Sequence, residues 1–223
     1  MSLLAEIQRI TEHTYKPTGA NFEDFLIDHH RFVYLSRRAR YAEEMSCAAR
    51  VFFRTHQGCL YVGLYYSRSL IDVLEAHDPR SGLSERNITA FCTFVEEVNH
   101  AVHGSLKYLE GRADLSSEAF VKDLELQSRI DTYFVLKYFL AYFNGSRQLE
   151  AFDRLWLRHH LFECEDTSYD SEALTSRYSE AKALGEKYTR FVDAIPPPER
   201  LAEIRGFRQR TFEEKRNYIN MLP

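Results

Sequence analysis

Arg50-Val-Phe-Phe-Arg-Thr-His-Gln-Gly-Cys-Leu-Tyr-Val-Gly-Leu-Tyr-Tyr66 differs in kind from the rest of the chain. It is rich in aromatic and β-branched residues and is interrupted by Thr55-His-Gln-Gly58, which has the composition of a turn. In its second half Leu60, Val62, Leu64 and Tyr66 alternate with Tyr61, Gly63 and Tyr65, the period of a strand. The stretch therefore predicts a β-hairpin. Two strands are marginal alone, so the hairpin must lie on helices or take a further strand. Phe32-Val-Tyr-Leu35 is the candidate for that third strand. An uncovered hairpin edge would also invite pairing with a second copy, so a homodimer is open.

Outward from the hairpin the period becomes helical. Residues 1–46 alternate short helical and irregular pieces around Pro17-Thr18-Gly19. A short helix is predicted over 67–77, stopped by Asp78-Pro-Arg-Ser-Gly82. Ser84 is the candidate N-cap of a long helix to Glu110, ended by Gly111. Further helices are predicted over 117–143, 148–162 and 171–194, with breaks at Asn144-Gly145, in the polar stretch Glu163 to Asp170, and at Pro196-Pro-Pro198. The expected fold is a predominantly α-helical α+β domain over 1–223. It comprises an N-terminal part with the hairpin (1–66), a helical bundle (67–195) and a basic helical tail (199–223). That tail interleaves Arg and Lys with Phe207, Phe212 and Tyr218, which suits either a solvated helix or an acidic or RNA surface.

Composition narrows the function classes. A chain of 223 residues can bury roughly 70% of its unfolded surface, so it needs no metal or disulfide staple. The 29 basic and 33 acidic residues are well mixed, which argues against bulk nucleic-acid binding. Cys47, Cys59, Cys92 and Cys164 show no zinc-ligand rhythm and read as reduced thiols of a cytoplasmic protein. Glu6 interrupts what a signal peptide would need to keep apolar, and no uncharged stretch approaches the ~18 residues of a membrane span. Fourteen Tyr and sixteen Phe imply an aromatic core or an aromatic-lined ligand site. Gly-rich phosphate loops, nucleophile elbows and H-E-x-x-H are absent.

The candidate functional residues are polar side chains where helix periodicity calls for apolar ones. On the 117–143 helix the apolar stripe Phe120, Leu124, Phe134, Val135, Tyr138, Tyr142 contains Gln127 and Asp131. On the 171–194 helix the stripe contains Arg177. A lone buried carboxylate must find a partner, shift its pKa or bind a cation, so Asp131 and Arg177 are expected to meet. Such a pair either fixes helix register or forms the floor of a small-anion site.

On the 84–110 helix Glu96, His100 and His103 share a face opposite the stripe Phe91, Val95, Val98, Val102, Leu106, Leu109. That face is either exposed or covered by other helices. Phe152, Trp156, His159, His160 and Glu163 share one broad face of the 148–162 helix.

An alternative is metal chemistry. Glu97-Val-Asn-His100 has the E-x-x-H spacing that holds two iron or manganese ions in ferritin-like bundles. Its ligand set would be Glu97, His100, His103, Glu125, Asp131, His160 and Glu163. The second half is reversed, as His160-x-x-Glu163, and Glu43, Glu44 and Glu75 compete as the first-helix acid.

The run Glu96-Glu-Val-Asn-His100, with Leu124-Glu-Leu-Gln127, Asp131 and Arg177-Tyr178, resembles a group of bacterial helical proteins that has no assigned activity. The resemblance covers mainly residues 90–190. It implies a bacterial origin and no mechanism. The leading expectation is a non-enzymatic protein that binds a partner or a small anion through Gln127, Asp131 and Arg177.

Overall fold

The computed structural model describes residues 1–38, 48–112, 114–115, 117–143, 149–164 and 172–223. Glu43, Glu44 and Cys47, the Asn144-Gly145 break and residues 165–170 of the expected loop lie outside them. Among the described residues are nine α-helices and one two-stranded antiparallel sheet. In chain order they are α1 (Leu3–Thr14), α2 (His29–Ser36), β1 (Ala49–His56), β2 (Cys59–Tyr66), α3 (Arg68–Ala76), α4 (Ile88–Leu109), α5 (Glu118–Phe143), α6 (Ala151–Arg158), α7 (Glu172–Ala194), α8 (Pro197–Gln209) and α9 (Phe212–Met221). No helix among them is long and apolar enough to cross a membrane.

The hairpin forms where the alternation places it. His56 pairs with Cys59 across a two-residue loop in which Gln57 and Gly58 both take positive φ (49° and 72°), the geometry that matches strand twist. One face lies on α4. Phe53 reaches it through Gly104, where an added Cβ would stand 2.3 Å from the Phe53 ring. Tyr66 stacks on Phe94 at 4.5 Å.

The other face is covered by α2, with Phe32 stacked on Tyr65 at 4.0 Å. The segment expected as a third strand is therefore helical. Asp28 caps it, Oδ1 accepting from Arg31 N–H at 2.7 Å, and Phe32 and Ser36, one turn apart, are its buried residues. Leu26 and Ile27 take the place at the sheet edge instead, Ile27 N–H donating to Leu64 O at 2.9 Å.

The long helix α4 begins three residues later than Ser84 as N-cap suggests. Asn87 is buried and clamps the preceding loop, accepting from Ser84 N–H and donating to His77 O and Gly82 O, and the helix starts after it. α4 touches α1, α3, α5 and both strands, so it is covered on both sides. The face carrying His103 is buried rather than solvated.

α5 packs antiparallel to α4 and parallel to α7: Glu118 meets Arg177, Lys122 meets Glu180, and Tyr133 meets Asp193. The face of α6 that carries Phe152, Trp156 and His159 is only partly covered, with Trp156 packed against the core. Phe152 and Leu155 are exposed, whereas Leu157, Arg158, Leu161 and Phe162 are buried. The basic tail is not a solvated helix either. α8 and α9 bury Ile204, Phe207, Phe212 and Ile219 in a second core with Leu126, Ile130 and Tyr188.

Candidate functional site

α5 carries Asp123, Gln127 and Asp131 at four-residue intervals, so the three side chains form a polar column on one face. All three are buried. At the top, Asp131 accepts from three neutral donors: Tyr15 OH (2.5 Å) on the chain after α1, His103 Nε2 (2.5 Å) on α4, and Gln127 Nε2 (3.0 Å). In the middle, Lys215 Nζ on α9 donates to Gln127 Oε1 at 2.6 Å. At the bottom, Asp123 sits between two buried ammonium groups, Lys107 at 2.8 Å and Lys215 at 2.7 Å. Asn99 extends the column sideways, joining Thr11 on α1 and Thr132 on α5.

The electrostatics follow from burial. Burial would raise the Asp123 pKa, but Lys215 and Lys107 outweigh it and hold the carboxyl below the usual range. Burial pulls Lys215 down to about 8 against the opposing pull of Asp123. Burial also lowers the His103 pKa, despite Asp131, so the imidazole is neutral at neutral pH. Its Nε2–H then faces Asp131, and Nδ1 has no hydrogen-bond partner among the described residues. The Tyr15 hydroxyl is held well above its usual pKa by burial and then by Asp131. Arg208, on α8, lies over the Tyr15 ring at 5.4 Å and pairs with Glu110.

Arg177 is not part of this column. It is buried, and its Nη2 meets Glu118 Oε2 at 2.8 Å in the first turn of α5. Asp131 lies thirteen residues further along α5, about 20 Å at helical rise. The two helices do touch, but they run parallel, and the register brings Arg177 to the wrong end of α5. The expected contact between Asp131 and Arg177 is therefore not made.

The metal reading fares no better in its geometry. His100 lies between Glu97 (3.7 Å from Nδ1) and Glu125 (3.8 Å from Nε2), so the two acids face opposite edges of the ring. His160 pairs with Glu85, just before α4, at 3.0 Å. His100 is twelve residues into α4 from Ile88, about 18 Å along it. Glu163 pairs with His159 at 2.9 Å. No group of three or more His, Cys, Asp or Glu among the described residues is placed to hold a metal ion. The imidazoles expected on one centre belong to separate pairs.

The second feature is a cleft of about 660 Å³ beside the hairpin. Leu4, Leu26, Tyr66, Ile71, Leu74 and Phe94 line it, together with the charged residues Glu23, Glu75, Asp78 and Arg80. Leu26 is half exposed there. Arg80 is already taken: Nε and Nη2 meet the Asp78 carboxylate at 2.9 and 2.6 Å, and Nη1 donates to Met1 O. Glu75 meets Arg68 at 3.5 Å. Glu23 has no ion-pair partner among the described residues, which leaves one carboxylate of the lining without a counter-charge.

Compared with known proteins, the chain matches no family model, no curated protein and no solved structure.

The functional reading therefore rests on these two features. Gln127 and Asp131 stood out on the helix wheel, and the structure joins them. Asp123 was missed, although its place four residues before Gln127 was a local signal. Tyr15, Lys107 and Lys215 carried no such signal, because each enters from a different element.

Proposed function

We propose that this chain is a binding protein whose ligand is a small, mainly apolar molecule carrying a cationic group, held in the cleft beside the hairpin. The carrying observation is the cleft itself. Its volume of about 660 Å³ falls in the range of small-molecule sites, its lining is mainly aliphatic and aromatic, and Glu23 adds one carboxylate without a counter-charge. Apolar walls favour a hydrocarbon body, and Glu23 favours a positive head.

The buried column then has a supporting role. α1 lines the cleft with Leu4 and reaches the column through Thr11; α4 lines it with Phe94 and reaches the column through Asn99 and His103. A column that locks α1 and α4 to α5 and α9 keeps the cleft walls in place.

The test compares 1-aminodecane with decanoate, two probes of equal length and opposite charge, below their aggregation limits. Binding is followed by NMR shifts of Ile and Leu methyl groups. Saturable binding of the amine, at least ten-fold tighter than the acid and lost in Ile71→Trp with its fold retained, is the expected result. Equal affinity for both probes, or binding that survives Ile71→Trp, would sink the proposal.

A further inference from the structure

α6 does not end as an α-helix. After Arg158 the backbone widens into one π turn, His159–Glu163, closed by Cys164 N–H donating to His159 O at 2.8 Å. In an α-helix the fifth residue on lies about 140° round the axis from the first. The wider i→i+5 turn brings it back over the first, and such turns occur often at functional sites. Here it brings Cys164 and Glu163 onto the same imidazole. Glu163 Oε2 lies 2.9 Å from His159 Nδ1, and Cys164 Sγ lies 2.8 Å from His159 Nε2. The carboxylate holds the Nδ1–H tautomer, so the Nε2 lone pair points at the thiol.

The three side chains have the arrangement of a nucleophile, a base and an orienting acid. They are also open to solvent: Cys164 is exposed, and the His159 and Glu163 side chains are more than half exposed. The neighbouring charged groups are otherwise engaged. His160 turns to Glu85, and Arg158 is buried against Asp193.

We propose that Cys164 is a nucleophilic thiol that exchanges with small-molecule disulfides, with His159 as its base and Glu163 as the positioning residue. His159 Nε2 takes the proton from Sγ. The thiolate attacks one sulfur of the disulfide, the S–S bond breaks, and a mixed disulfide forms on Cys164. The departing sulfur leaves with the bonding pair and takes the proton from the imidazolium, so the exchange needs no further oxidant. The site is separate from the cleft and does not depend on its ligand.

Cys59 supplies an internal control, being an exposed thiol that faces His56 across the hairpin without a hydrogen bond to an imidazole among the described residues. The full chain is reacted with 5,5′-dithiobis(2-nitrobenzoate) at pH 7, quenched at intervals, and each cysteine is read by peptide mass spectrometry. Cys164 is expected to react about ten-fold faster than Cys59. His159→Gln should reduce Cys164 to the Cys59 rate, and Glu163→Gln should give an intermediate loss. Because both side chains are more than half exposed, neither variant should change the melting temperature. Equal rates at the two cysteines, or a His159→Gln chain that reacts as fast as the unmutated one, would overturn the assignment.

Discussion

Lys215 of the last helix and Asp123 of α5 form a buried ion pair at 2.7 Å, with the Lys215 ammonium fully enclosed. The tail that reads as a basic, solvated appendage is thus a structural member of the fold. Lys215 also donates to Gln127, so it links two rungs of the polar column.

Removing that ammonium leaves Asp123 with Lys107 alone and Gln127 Oε1 without its donor. Lys215→Ala should lower the unfolding free energy by about 3–5 kcal/mol in urea titration. Hydrogen exchange of α9 should accelerate in the same variant. A loss below about 1 kcal/mol would show that the pair does not hold the tail.

His100 predicts a pH dependence. Burial alone would lower its pKa, but Glu125, Glu97 and Glu96 outweigh it and raise it from 6.5 to about 9. A group whose pKa is raised on folding stabilises while it is protonated. The contribution, up to about 3 kcal/mol, is full below about pH 6.5 and is lost as pH rises through about 9. Lys215 titrates in an overlapping range, so the readout is the difference between the unmutated chain and His100→Gln. That difference should shrink between pH 6.5 and 9.5; a constant difference would refute the charged imidazole.

At Gly104 the Phe53 ring of the hairpin lies directly against α4. Gly104→Ala should cost about 1–3 kcal/mol or more, because the Phe53 ring occupies the space of the new methyl group. Phe53→Leu in the same chain should recover part of the loss. If Gly104→Ala stabilises the chain, as helix propensity alone would have it, the close contact is wrong.

The parallel register of α5 and α7 is tested by double-mutant cycles. Asp131→Asn and Arg177→Gln should be additive within about 0.5 kcal/mol, as expected of distant sites. Glu118→Gln and Arg177→Gln should couple, by about 1 kcal/mol, since Glu118 is half exposed. Strong coupling of Asp131 to Arg177 would restore the pairing expected from the helix wheels.

Elements set by contacts close in sequence were legible. The alternation in β2 and the Gln57-Gly58 turn specify the hairpin, and the periodicity after Ser67 places α3, α4, α5 and α7 within a few residues. Where two local signals compete, the reading failed. Phe32-Val-Tyr-Leu35 has strand composition, but the Asp28 cap and the Phe32/Ser36 spacing make it helical. Ser84 has cap chemistry, but Asn87 ties down the loop and delays the helix.

By itself, then, the sequence determined a helical α+β chain with one hairpin, and it marked Gln127 and Asp131 as polar residues in an apolar stripe. Periodicity can do this because it depends only on the angle between neighbours on one element. The partners of those residues were decided by tertiary structure alone. Asp131 is satisfied by Gln127 on its own helix and by Tyr15 and His103, and Asp123 by Lys107 and Lys215, so that apart from Gln127 the partners come from three other segments of the chain. A helix wheel carries no information on whether two helices run parallel or antiparallel, and that single choice moved Arg177 from Asp131 to Glu118.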